Sequence, residues 1–361
     1  MGKGRSGFWS VFVFLLLCLT LFANWEGESV APGSLEQDRS HLARLFADDE
    51  ILKLEIRGPI SEIRHDRGKK KRYHPAQFIY FDRYKQREIS LTVQIRTRGR
   101  FRRNPRNCNF PPLKIKFAKA EVRDTLFANQ DNLKLVTQCQ TNKDVYEQYL
   151  FGEYLVYKLY NLFTRRSLAV RLAHITYQEP GEKSLTRYGF FIEKDTKMGP
   201  RNGMTLVDYK KGKNYIINLQ QRSQLAVFQF MVGNTDWAKF SDHNIIFYKP
   251  AYGRALISVP YDFDFCGIVN AHYAGPAPES GIKSFQDRVF QGYCRSRGEF
   301  RLLFNRFRAK RKQIMSLYRD FPLLTPEYRK YAVNYLKKFF DIINNPRLVK
   351  KYFYDGCRKV R

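Results

Sequence analysis

Residues 233–249, GNTDWAKFSDHNIIFYK, and residues 257–267, ISVPYDFDFCG, set acidic side chains among segments that otherwise read as core. The second stretch is an apolar run ending in an Asp-x-Asp pair, Asp262 and Asp264. On a strand, residues two apart share a side, so both carboxylates are expected on one face, with Tyr261, Phe263 and Phe265 on the other. Like charges so placed repel one another and lose hydration unless a cation lies between them. Hard oxygen donors in this arrangement suit Mg2+ or Mn2+, although two aspartates at a strand end can also cap a turn or pair with local arginines. In the first stretch, Asp236 follows a helical segment and Asn244 stands eight residues later, just before a second strand.

These acidic residues lie in a strongly basic chain. Its 361 residues carry 64 Lys and Arg against 34 Asp and Glu, a formal charge of +30, and the cations are spread along the whole length. A diffuse positive surface of this kind suits phosphate-bearing substrates, lipid head groups or anionic envelope polymers. The 30 Phe and 23 Tyr would also fit a surface that stacks nucleic-acid bases, but no zinc-knuckle spacing, RNP motif or basic heptad array accompanies them. At this length the chain can bury a sizeable core and has room for two lobes.

The N-terminus places Lys3 and Arg5 before an uncharged apolar run of 16 residues, Phe8 to Ala23. Residues 1–23 are therefore expected to be a secretory signal or an uncleaved anchor, with 24–45 a polar linker. Export would put Cys108, Cys139, Cys266, Cys294 and Cys357 in an oxidising compartment, and their odd number leaves at least one unpaired within the chain. Cys108 and Cys139 flank one strand-and-loop unit and are the expected bridge.

From position 49 the apolar period is mostly two, in ILKLEIRG, AQFIYFD, EISLTVQIRTRG and PPLKIKFAK, which predicts an antiparallel sheet. Val145, Tyr149, Leu150, Tyr154, Leu155, Leu159 and Leu162 then recur at three and four, which predicts one long helix. Two more strands follow around the turn EPGEKS. After a Gly, Pro and Lys-rich stretch at 196–214 come a helix ending near Gly233, a short hairpin, and long amphipathic helices over GEFRLLFNRFRAKRKQIMSLYRD and TPEYRKYAVNYLKKFFDIINN. The order predicts an α+β fold with two lobes like those of protein kinases: a β-rich lobe at 46–200, a mainly helical lobe at 201–361, and a site between them.

In that frame, a loop Asp followed by an Asn, a strand and another Asp is how kinase-type phosphoryl-transfer sites are laid out. Asp236 would face the acceptor hydroxyl, and Asn244 and Asp262 would hold metal, with Asp264 beside them. On the strand PPLKIKF, Lys114 and Lys116 share one face and can meet phosphates. Glu147 and Glu153 of the long helix are possible partners for such a lysine. His243, next to Asn244, reads as a packed neighbour.

The chain also resembles the spore-coat CotH-like family of atypical secreted or surface protein kinases, over roughly residues 50 to 295. IRTRGR, with Arg98, is similar to the family's arginine-and-glycine turn, PPLKIKF to its Lys-bearing strand, and RYGFFIEKD to its strand ending in Glu, here Glu193, at the lobe junction. GNTDWAKFSDHNIIFYK resembles its Asn-x-Asp loop, and SVPYDFDF its Pro-aromatic-Asp-x-Asp strand. The resemblance implies an ATP-dependent kinase using Mg2+ or Mn2+ on a protein or envelope acceptor, with Lys114, Lys116, Arg98 and Glu193 around the nucleotide. Two departures stand out: RGRFRRNPRNC replaces a longer Gly/Ser/Lys run, and NTDW replaces an Asp-Arg pair. A catalytically inactive pseudokinase or structural envelope protein that uses the same fold to bind a partner, and a basic metal-dependent nucleic-acid-binding protein, are the alternative readings. Nucleic acid as a partner is disfavoured, and association with a membrane surface is compatible with the charge.

Overall fold

The computed structural model describes residues 42–209, 215–237, 243–275, 284 and 286–359. The expected signal or anchor, most of the expected linker, and Asp242 lie outside the described residues. Residues 42–361 cluster as one compact unit.

The alternating runs form strands whose apolar residues face a single interior. Strand β3, Arg87–Thr97, turns Ile89, Leu91, Val93 and Ile95 inward and its polar residues outward. With β1 (Leu52–Arg57), β2 (His74–Asp82), β4 (Leu113–Phe117), β5 (Asn132–Thr137), β6 (Val170–Gln178) and β7 (Leu185–Ile192) it closes a barrel in the order β1-β2-β3-β4-β5-β7-β6. The expected antiparallel sheet is thus closed, because β1 also pairs in parallel with β6, from Leu52 beside Ala173 to Arg57 beside Gln178. Closure removes both sheet edges. The barrel core already includes Leu45, so the chain joins it within the stretch expected to be linker. A short helix, α1 (Ile60–His65), follows β1.

The long helix, α2 (Val145–Asn161), is buried on nearly every side. Its apolar residues join Val136, Leu172 and Phe190 of the barrel strands to the core of the second half, where Tyr157 meets the ring of Phe263 at 4.7 Å and Phe151 that of Phe321 at 5.8 Å. A helix buried all round needs apolar contact on every face, which its Tyr, Leu, Phe and Val content supplies.

The Gly, Pro and Lys-rich stretch at 196–214, which carries no expected element, contains most of α3 (Asp195–Arg201) and all of β8 (Met204–Val207) within its described part. Strand β8 turns the expected hairpin of β9 (Ile245–Pro250) and β10 (Ile257–Pro260) into a three-stranded sheet ordered β10-β9-β8. Helix α4 (Leu219–Val232) precedes β9. The C-terminal part holds α5 (Arg297–Ala309), α6 (Arg311–Arg319), α7 (Pro326–Asn344) and the short α8 (Pro346–Val349). The first expected C-terminal helix is therefore two, interrupted at Lys310.

The expected Cys108–Cys139 bridge is present, a second bridge joins Cys294 to Cys357, and Cys266 is a buried free thiol. Two bridges fit an oxidising, exported environment. Among the described residues no helix is long and apolar enough to cross a membrane.

Candidate functional site

The ends of α4 and β10 assemble the acidic site. Asn218 caps the start of α4 by accepting the Gln221 amide, and Gly233 ends it in the left-handed conformation at φ 69°. A side chain at Gly233 would run into the hydroxyl of Tyr335, so the tight turn there requires glycine. The chain reverses at once, and Asn234 Oδ1 accepts the Asp236 amide at 2.9 Å. Two backbone bonds stitch this turn to the acidic segment: Gly267 N donates to Gly233 O at 3.0 Å and Ile268 N to Val232 O at 3.1 Å.

Asn244 sits just before β9 with φ 55°, buried, its Nδ2 donating to Asp236 Oδ2 at 3.0 Å and to the Asp236 carbonyl at 3.1 Å. Its own carbonyl accepts the Tyr261 amide at 3.0 Å, which ties it to the residue before Asp262. Asp262 is also left-handed, at φ 62°, and its amide donates to the hydroxyl of Tyr157 on α2 at 2.9 Å. Left-handed backbone outside glycine costs of order 1 kcal/mol and persists where surrounding contacts enforce it; Asn and Asp are the residues that tolerate it best. The structure thus brings Asp236, Asn244 and Asp262 together.

The conformation of Asp262 corrects the expectation of two carboxylates side by side on a strand, since β10 ends at Pro260. Asp262 and Asp264 do converge, on a guanidinium. Arg102, from the loop between β3 and β4, donates to Glu153 of α2 through Nη1 at 3.0 Å and Nη2 at 3.3 Å; its Nη2 also reaches Asp262 Oδ1 at 3.4 Å, and its Nε lies 3.3 Å from Asp264 Oδ2. The cation between the aspartates is therefore Arg102, and the charge argument for a metal on Asp264 falls. Asp264 is buried, whereas the Asp262 side chain is 44% exposed.

Arg102 in contact, with Arg98 acting through its field on Glu153 and Asp262, still leaves two guanidiniums against three carboxylates, so the cluster is short of positive charge. Burial raises the pKa of Glu153 and raises that of Asp264 well above the carboxylate range; Arg102 opposes both shifts, and Asp262 adds to both. Arg102 itself stays charged, its pKa raised by these carboxylates. Asp236 is also raised, first by burial and then by the field of Asp262, with His243 opposing from 3.3 Å between Nδ1 and Oδ1.

Facing this acidic edge is a basic row on the outside of the barrel. Arg96, Lys114 and Lys134 are register neighbours across β3, β4 and β5. Lys134 comes nearest the acidic residues: its Nζ lies 3.7 Å from Asp195 Oδ2 and 6.0 Å from the ring centre of Tyr261, and the field of Asp262 acts on it. Burial, with the fields of Arg98 and Lys114, holds its pKa below the usual lysine value. Lys134 was legible only as an alternation, a cation between Leu133 and Leu135 in NLKLVT, and it was not singled out. Lys114 belongs to the same row, whereas Lys116 is exposed and lies beside the ring of Tyr73 at 6.0 Å. Arg98 senses Asp262 and Glu153. Glu193 is used elsewhere: Arg201 donates to it through Nε at 2.7 Å and Nη2 at 2.8 Å, and the Ala169 amide donates at 3.0 Å. That pair braces the end of β7 against α3 and commits the Glu193 carboxylate to protein donors.

The donors left for a divalent cation are the open carboxylate of Asp262, the side-chain oxygen of Asn244 and half-buried Asp236. Among the described residues no group of three or more His, Cys, Asp or Glu can hold a metal alone. A partial shell of hard oxygens fits Mg2+ or Mn2+, which are commonly bound through one or two carboxylates with phosphates and water completing the shell.

No family model matches the chain, and no curated protein matches it. Among solved structures, a Helicobacter pylori proinflammatory kinase, CtkA, is similar at 14% identity and a TM-score of 0.39, covering 66% of this chain and 94% of that one. A likeness of this size is distant and carries no argument about the site. The resemblance drawn from the motifs rests on those residues alone.

Proposed function

We propose that this chain is an exported, CotH-like atypical kinase that transfers the γ-phosphoryl group of ATP to a protein or envelope acceptor. The observation that supports this best is the pairing of Asp236 with Asn244 beside an open Asp262, opposite the row led by Lys134. Asp262 and Asn244 would hold Mg2+ or Mn2+, and the bound metal would supply charge neutralisation at the nucleotide phosphates. Lys134, with Lys114 and Arg98, would hold phosphate oxygens from the barrel side. Asp236, held by Asn244 and His243, would orient the acceptor hydroxyl and take its proton, a role its raised pKa suits. Arg102 would keep Asp262 in place from behind while neutralising Asp264 and Glu153.

The test is transfer of label from γ-labelled ATP, with Mn2+, to the protein itself or to water. Wild type should label or hydrolyse, and Asp236→Ala should not. Absence of both activities, with nucleotide still bound, would favour a second reading. In that reading the chain binds nucleotide without catalysis, as the guanidinium of Arg102 lying against Asp262 would also suit.

A further inference from the structure

We propose that the loops at 67–72 and 98–106 form a docking surface for an acidic segment of the acceptor polypeptide, a proposal that rests on the kinase reading and names its substrate class. The two loops, RGKKKR and RGRFRRNPR, contain no carboxylate. They are held against each other: Arg103 Nη1 donates to the Gly68 carbonyl at 3.3 Å, and Arg67 Nη1 to the carbonyls of Arg103 at 3.4 Å and Cys108 at 2.6 Å. Lys69, Lys70, Lys71, Arg100 and Arg106 are exposed on this joint surface. The bordering carboxylate, Asp66, is taken up by His74 Nε2 at 3.0 Å and by the Arg72 amide at 3.2 Å. Lys71 shows the imbalance: burial and the fields of Arg103, Arg96 and Lys114 depress its pKa.

The surface continues into the site. Arg96 and Lys114 act on Lys71; Arg96 pairs in register with Lys114, and Lys114 with Lys134, which stands over Tyr261 beside Asp262. A nucleotide held by Lys134, Lys114 and Arg98 would leave the exposed cations of the two loops, Lys69 to Lys71, Arg100 and Arg106, free. Clustered cations repel each other and are relieved by a polyanion, and guanidinium forks match carboxylates in particular. Nucleic acid is the poorer fit, because binding single strands also uses free aromatic faces. Here Tyr73 already lies under Arg96 at 5.1 Å, and Phe101, although 39% exposed, is engaged by Phe265 at 5.4 Å and Tyr273 at 5.6 Å.

The experiment measures binding of the full chain to a labelled serine peptide flanked by glutamates, to its glutamine counterpart, and to single-stranded DNA of equal length, with nucleotide binding followed separately by thermal shift. The acidic peptide should bind at least about tenfold tighter than the glutamine peptide at low salt, with the preference fading as salt rises. Lys69→Glu/Lys70→Glu/Lys71→Glu, an exposed change, should abolish the preference and leave the nucleotide response unaltered. Equal binding of the two peptides would overturn the proposal, and so would DNA binding more tightly than the acidic peptide through the same lysines. An acidic preference in a protein that ignores nucleotide would uphold the docking surface and remove the kinase reading.

Discussion

Two arginines in this molecule meet buried carboxylates in opposite ways. Arg201 and Glu193 form a one-to-one pair, with two bonds at 2.7 and 2.8 Å, and the Ala169 amide also donates to the carboxylate at 3.0 Å. Arg102 faces Glu153, Asp262 and Asp264 at once. The balanced pair is a brace that needs nothing more. The unbalanced cluster has negative charge left over, and that charge is displayed at Asp262, beside Asp236 and Asn244. Charge stoichiometry, more than burial or distance, separates the fold element from the site.

The widest gap between the two regions should appear in activity. Asp236→Ala is expected to lower phosphoryl transfer by about 10²- to 10⁴-fold, the usual contribution of a positioned acid or base, with unfolding midpoints nearly unchanged. Glu193→Gln should do the reverse, reducing stability while sparing transfer at permissive temperature. Parallel labelling assays and urea titrations check both.

Removing each cation comes next. Arg102→Met and Arg201→Met should each cost about 3–5 kcal/mol at neutral pH, since each strands buried carboxylate. Acidification should restore more of the loss in Arg102→Met, which leaves three carboxylates to protonate. In wild type, Glu153 and Asp264 have raised pKa values, so the folded state keeps protons that the unfolded chain releases. Their contribution to stability is fully present below the ordinary carboxylate pKa and is lost as pH rises through the raised values. Urea unfolding across pH 4 to 8, a range chosen to span these titrations, reads the sign.

The bridges give a third contrast. Cys108–Cys139 closes a separation of 31 residues and anchors the loop that bears Arg102, and breaking it should cost about 3–4 kcal/mol on chain entropy alone. Cys108→Ser/Cys139→Ser should also weaken nucleotide binding, whereas Cys294→Ser/Cys357→Ser should lower stability without doing so. The smallest effect belongs to His243. It opposes the raised pKa of Asp236, so His243→Ala should move the acid limb of the transfer rate to higher pH, by less than about one unit.

Much of this architecture is visible as pattern in the chain. Strands with one wet face carry alternation, so β1 to β4 are legible, β6 and β7 read as strands from their apolar and aromatic runs about the turn EPGEKS, and α2 announces itself by its period. Barrel closure is not, because the parallel return of β1 to β6 joins residues more than a hundred positions apart and leaves no local mark. Strand β8 and helix α3 hide in a Gly, Pro and Lys-rich stretch without periodicity. At the site, the spacing of Asp236, Asn244 and Asp262 is legible because acidic and amide residues stand out against the apolar segments that carry them. The partner of Asp264 is not, because Arg102 is one of 64 basic residues, and only the fold selects it.

In the proposed site the Asp-x-Asp pair divides into an open aspartate that would bind and a buried one that would support it. A thermal-shift titration with ATP and Mn2+ on wild type, Asp262→Asn and Asp264→Asn tests that division directly. The predicted result is a metal-dependent nucleotide shift in wild type, its loss in Asp262→Asn with the starting midpoint kept, and a lowered midpoint with the shift retained in Asp264→Asn. No shift in wild type, or a shift lost in Asp264→Asn and kept in Asp262→Asn, would contradict it.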